Sequence, residues 1–352
     1  MTVPSEKTPL SPVLEAYRER VRTLLEEYGY EVGDDWQLSL REEPRKILAR
    51  FAALTNPRPD PRVERYFAKP SEVRPEAIKP VLRPVEGERD SRIFRHALSF
   101  WSVPVSAGYG RRMRFILWDD ASGKVMGILG LCDPIIGLST RDQYIGWDKR
   151  AREDRLYHMM SAYVLGAVPP YNALRGAKLV ALLAGSDAVR AHFRQRYAGK
   201  ASVIRGVVRP PELILIDTMG AFGKSAIYTR LKGWRFVGYT QGQSHYHLSS
   251  NGIYEVLEEA LRIAGKEDIL KRHRYGDGPN WKWRVVQEAC KTLSIPEKVM
   301  AHRVRRAYYV YPLAERWREF LRGETDDPLP LRLPEEKLVA YWRERWLPRR
   351  PI

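Results

Sequence analysis

The chain has 352 residues, 44% of them hydrophobic and 29% charged, and a formal net charge of +17 at neutral pH. This balance excludes a disordered or collagenous polypeptide, and Cys132 and Cys290 are too few for a disulfide framework or a cysteine-rich zinc site. No apolar run approaches a membrane span and no signal-peptide core opens the chain, so a cytoplasmic protein without a membrane partner is expected.

In chain order, Val13, Leu14, Tyr17, Val21, Leu24, Leu25 and Tyr28 recur at helical spacing and predict an amphipathic helix ending at Gly29. A second helix is predicted over 44–54, with Ile47, Leu48 and Phe51 inward. Seven prolines over 57–84 then read as an extended linker or strap. Residues 113–118 and 125–131 have strand composition, joined by the hairpin turn 119–124. A further strand is predicted over 156–168, ending at Pro169 and Pro170. Helices follow over 179–184 and 186–197, the second capped by Ser186. Residues 213–216 read as a buried strand with Asp217 and Thr218 where it stops. Ser225 is then placed to cap a short helix to Leu231, and 234–237 return as another strand. The pattern is that of an α/β protein with a mixed sheet and flanking helices. It divides into a helical N-terminal segment (1–56), a proline-rich linker (57–95), an α/β core (96–250) and a basic helical C-terminal region (251–352).

The charge is unevenly spread. Residues 1–100 hold 18 Lys and Arg against 17 Asp and Glu, and the remainder holds 42 against 26. Such an excess attracts polyanions, of which nucleic acid is the commonest, and DNA is the expected partner. Arg272 and Arg274 precede Trp281 and Lys282, and Arg305 and Arg306 lead into the aromatic run 308–311. Cations interleaved with stackable rings suit phosphate contacts and base stacking, while a solvated helix face over core aromatics gives the same pattern. Asp217 at a strand end fits a general base or a turn cap. His245 and His247, two apart, would share one strand face; with no third ligand in view they read as a polar pair rather than a metal site. Asp119 and Asp217, with Glu255, Glu258 or Glu288, would serve as the acids of an RNase H-like nuclease or transposase.

Three resemblances follow from these motifs. A hairpin, a strand, a glycine-basic turn into a helix, and a later tyrosine helix before a Gly-aromatic strand resemble the GNAT acetyltransferases. The resemblance implies a GNAT-like core using acetyl-CoA. Arg175, Gly176, Ala177 and Lys178 would cradle its pyrophosphate through backbone N–H groups, and Tyr228 would act as general acid toward the CoA thiolate. The layout also resembles the phage Mom proteins, which modify adenine. More narrowly, Gly127-Ile128-Leu129-Gly130, Tyr144-Ile145-Gly146-Trp147, Val168-Pro169-Pro170-Tyr171-Asn172, residues 178–184 and Thr240-Gln241-Gly242-Gln243 are similar to the DruA family. So are the C-terminal stretches 311–323 and 341–342, and the likeness spans roughly 95–345. It implies a nucleic-acid-acting protein of an anti-phage defence or mobile-element system. DNA binding, with base modification by acyl transfer, is the implied activity; a non-catalytic DNA-binding subunit is the alternative, and system proteins such as a helicase are implied partners.

Overall fold

A computed structural model describes residues 9–106, 108–201, 206–249, 252–276 and 281–347. In chain order the helices and strands begin with α1 (Pro12–Tyr28), β1 (Tyr30–Val32), β2 (Leu38–Leu40), α2 (Pro44–Thr55), β3 (Pro80–Pro84) and α3 (Gly87–Leu98). Next come β4 (Arg112–Asp119), β5 (Lys124–Cys132), α4 (Ser139–Ile145), α5 (Lys149–Arg155), β6 (Met159–Ala167), α6 (Gly176–Leu183) and α7 (Asp187–Tyr197). The rest are β7 (Leu215–Met219), β8 (Arg235–Tyr239), α8 (Ile253–Ile263), α9 (Glu267–Gly276), α10 (Trp281–Thr292), β9 (Ala307–Pro312), α11 (Trp317–Arg322) and α12 (Glu335–Trp346).

These elements form two units, one from residues 1–47 and 241–304 and the other from 48–240 and 305–352. The grouping is therefore discontinuous in sequence, unlike the four consecutive segments read from it. In the first unit, Ser11 caps α1 by accepting from the Leu14 N–H, and Gly29 closes it at φ 110°. Helices α1, α8 and α10 bury Val21, Leu25, Leu257, Leu261, Val285 and Val286 in one core.

The second unit is built on a seven-stranded sheet of order β3-β4-β5-β6-β7-β9-β8. Every neighbouring pair is antiparallel except β6 and β7. That parallel pair registers only 159–161 with 215–217, so β6 runs on for six residues beyond the paired stretch. One face packs Met160, Ile216 and Tyr309 against Leu179 and Leu183 of α6 and Phe193 of α7. On the other, α3 covers Ile116, Ile128 and Val164, while Trp317 and Phe320 of α11 cover Leu215, Tyr308 and Val310.

Three expectations are corrected here. The proline-rich stretch is packed: Pro61, Pro70 and Pro75 each start a short 3-10 turn, where a missing N–H costs nothing. Val63 of the first turn, Ile78 after the third, and Leu82 of β3, an edge strand of the sheet, are buried. The strand expected to stop at Ile216 instead runs to Met219, which makes Asp217 its middle residue. No helix forms over 225–231. Ser225 still accepts from the Ile227 N–H, but the carbonyls of Ala226, Ile227 and Thr229 are taken by the Lys178 ammonium. Arg230, at φ 60°, then turns the chain out of any helical path.

Candidate functional site

The sheet sets out a polar row. Arg112, Cys132, Ser161 and Asp217 lie opposite one another on β4, β5, β6 and β7. Asp217 is buried, and its carboxylate accepts from Ser161 Oγ and, at 2.7 Å, from the hydroxyl of Tyr308 on β9. Burial raises its pKa, against the opposing pull of Arg141 and its two hydroxyl donors. Arg141 is itself fully buried, donating to the carbonyls of Ile135 and Ile136 and pairing with Asp142 at 2.8 Å. Burial pushes the neighbouring Cys132 thiol up to about 11, the wrong direction for a nucleophile at neutral pH. Asp217 thus ties three strands together, and both its donors were missed because Ser161 and Tyr308 are far from it in sequence. The one local cue was the aromatic run that begins at Tyr308.

Tyr228 is not part of that row. Successive residues of a strand face opposite sides, and Tyr228 lies with Thr218 and Tyr309 on the face away from Asp217. Its ring is wedged between Trp234 and Tyr309, each 4.7 Å away, and burial pushes its hydroxyl up to about 12. The proposed base and acid therefore do not share a reaction space.

The glycine turn does not fit a pyrophosphate. The Gly176 N–H bonds to the Tyr171 carbonyl at 3.0 Å, and that carbonyl sits 2.8 Å from where a Cβ on Gly176 would lie. The glycine thus makes room for protein backbone. The Lys178 N–H is committed to the Arg175 carbonyl at 2.9 Å. Arg175, left-handed at φ 60°, gives that carbonyl also to the Trp342 indole at 3.2 Å, and Trp342 is fully buried. Lys178 is buried beneath Trp346, its Nζ donating to Ala226 at 2.7 Å and to Ile227 and Thr229 at 3.0 Å. Burial, then Arg175, Arg345 and Arg230, pulls its pKa down to about 8, which leaves it protonated at neutral pH. Its charge holds the Tyr228 loop in place and is not presented to a ligand. Ala177, half-buried, adds no charge of its own.

A two-acid metal site is not assembled either. Asp119 lies at the hairpin turn, accepting from the backbone of Lys79 and Ala121 and from the hydroxyls of Ser122 and Tyr171. Along β4 it stands seven residues from Arg112, the member of Asp217's row, or about 23 Å at the rise of a strand. Among the described residues no group of three His, Cys, Asp or Glu side chains comes together to hold a metal. Glu288 instead pairs with Lys266 at 2.7 Å, and Glu258 reaches Arg262 at 3.6 Å. Glu255 lies in the first turn of α8. His247 is buried in a 3-10 turn with Nε2 at 2.7 Å from the Val299 carbonyl, and burial lowers its pKa to about 4. His245 packs its ring on Trp283.

The basic candidates separate into two groups. In the first unit, Arg274 and Lys282 lie over the Trp281 ring at 5.7 and 5.6 Å, and Arg272 is exposed beside them on α9. In the second, Arg305 is exposed over the Tyr239 ring at 5.3 Å, whereas Arg306 donates to the Gly220 and Met219 carbonyls and braces the end of β7. Sequence order concealed where the charge resides. The sheet unit holds 43 Lys and Arg against 25 Asp and Glu, and the helical unit holds 17 against 18. On the sheet unit a cavity of about 450 Å³ is lined by Arg150, Arg155, Arg209 and Arg322 with Asp148 and Asp154.

A family model described as Druantia protein DruA matches residues 38–323. The chain belongs to the DruA family. The Druantia protein DruA of Escherichia coli (strain UMEA 4076-1) is 37% identical over 295 residues, covering 82% of this chain and 72% of that protein. No solved structure gives a significant match. The DruA match takes in all seven strands of the large sheet, and with them Asp217, Ser161 and Tyr308. It leaves α12 outside, so Trp342 and Trp346, which close over the α6 turn, lie beyond the family match. DruA is a protein of the Druantia anti-phage defence system, and no helix among the described residues is long and apolar enough to cross a membrane.

Proposed function

We propose that this DruA protein binds nucleic acid as part of its defence system, and that the sheet unit supplies most of the contact. The observation that carries this reading is the partition of charge: the sheet unit accounts for the entire positive excess, and the helical unit is nearly neutral. A net charge of that size on one unit draws a polyanion and gives it a preferred surface. Arg150, Lys224, Lys232, Arg235 and Arg305 are exposed on this unit. The Arg272, Arg274, Trp281 and Lys282 cluster of the helical unit is a second, lesser contact. Asp217, Ser161 and Tyr308 form a hydrogen-bonded frame inside the same unit. Other proteins of the defence system are the partners that would act with it.

The test compares charge variants by fluorescence anisotropy on a labelled DNA. Arg150→Glu with Arg305→Glu is expected to weaken binding at least tenfold more than Arg272→Ala with Arg274→Ala, with melting temperatures unchanged. Equal losses, or a larger loss from the helical unit, would overturn the assignment of the surface.

A further inference from the structure

The terminal strand of the sheet carries two exposed rings where a strand would not ordinarily place them together. Phe236 and Tyr239 are three residues apart on β8, a spacing that puts side chains on opposite faces of a regular strand. Pairing with β9 shifts between them: Phe236 stands opposite Tyr309, Gly238 opposite Tyr308, and Val237 is left over. That extra residue is a β-bulge, and it turns Tyr239 back onto the face of Phe236. The two rings meet edge to face at 5.3 Å, and Phe236 also meets the Tyr309 ring at 5.6 Å. They remain 39% and 36% exposed, although β8 has a core available on the same sheet. A cation stands over each: Lys224 Nζ is 4.5 Å from the Phe236 ring and the Arg305 guanidinium is 5.3 Å from that of Tyr239.

We infer that this bulged strand is a stacking platform for the unpaired bases of single-stranded nucleic acid. Exposed rings accept any base on their π-faces, while the flanking cations meet the phosphates on either side of a stacked nucleotide. A duplex offers only its phosphates here, because its bases are already stacked on each other. The inference rests on the nucleic-acid reading above and narrows it to one strand and to two rings.

The experiment uses the full chain and three labelled probes: a 12-nucleotide single strand, the same sequence as duplex, and a 12-nucleotide abasic strand with phosphates only. The expected result is tighter binding of the single strand than of the abasic one. Tyr239→Ala and Phe236→Ala should each weaken the single strand roughly 30-fold, the middle of the range for one stacked base. The same variants should leave the duplex and abasic strands nearly unchanged, and Tyr239→Trp should restore binding. If Phe236→Ala lowers the melting temperature, by losing its contact with Tyr309, Tyr239→Ala and Tyr239→Trp carry the test. Unchanged single-strand binding in both Ala variants overturns the platform. So does an equal loss on all three probes, since the rings would then only support the fold. Wild-type protein that binds duplex but shows no preference for bases overturns the platform and leaves the nucleic-acid reading standing, whereas binding to none of the probes overturns both.

Discussion

Replacing Lys178 by Met separates a structural role for that residue from a ligand-binding one. The ammonium sits on three carbonyls, at 2.7 to 3.0 Å, in a loop that has no helix to satisfy them. Methionine keeps the volume and the contact with Trp346 but leaves all three acceptors without that donor. A bond from a charged donor contributes about 1.5–3 kcal/mol, and because these three are only part-buried, water makes up some of the loss and the total is about 3 kcal/mol. For a unit of this size that corresponds to a fall of roughly 6–12 °C in melting temperature. Differential scanning calorimetry reads this directly, and near-ultraviolet circular dichroism of Tyr228 and Trp234 should change with it. A melting temperature within about 2 °C of wild type would refute the reasoning. If that protein had also lost thermal protection by acetyl-CoA, the ammonium would have been a phosphate ligand after all.

Two further outcomes follow from the buried polar groups. Asp217→Asn keeps the shape but cannot accept equally from Ser161 and Tyr308, and should cost roughly 1–3 kcal/mol by urea denaturation; no change would mean the row is not coupled. The pKa of His158 is lowered by burial to about 4, while an unfolded histidine titrates near 6.5. The unfolded chain therefore takes up the proton first, and stability present above about pH 6.5 is lost as the pH falls toward 4. His158→Asn should flatten that slope by about one proton; an unaltered slope would show that His158 titrates normally.

Much of the fold was legible because its signals are local. The apolar period from Val13 to Tyr28 and the cap at Ser186 each depend on residues within a few positions, and α1 and α7 form as expected. The hairpin of β4 and β5 is equally local. What was lost depends on distant partners. Asp217 was placed at a strand end because nothing near it reveals that Ser161 and Tyr308 donate to it. The helix expected around Tyr228 fails because a lysine some fifty residues earlier captures its carbonyls. The glycine turn has the composition of a phosphate cradle, yet Gly176 accommodates the Tyr171 backbone. The platform was invisible because one unpaired residue, Val237, decides which way Tyr239 faces.

The central claim, that the cationic sheet unit binds nucleic acid, is tested most directly by affinity for a labelled single strand measured from 50 to 200 mM salt. Each phosphate neutralised releases counterions, so log affinity should fall linearly with log salt, with a slope of about −0.7 for every contact on a single strand. Four to six contacts would weaken binding roughly 50- to 300-fold across that range. Arg150→Glu with Arg305→Glu should make the slope shallower by about two such contacts. An affinity that stays flat with salt, or a slope that those variants leave unchanged, would contradict the account.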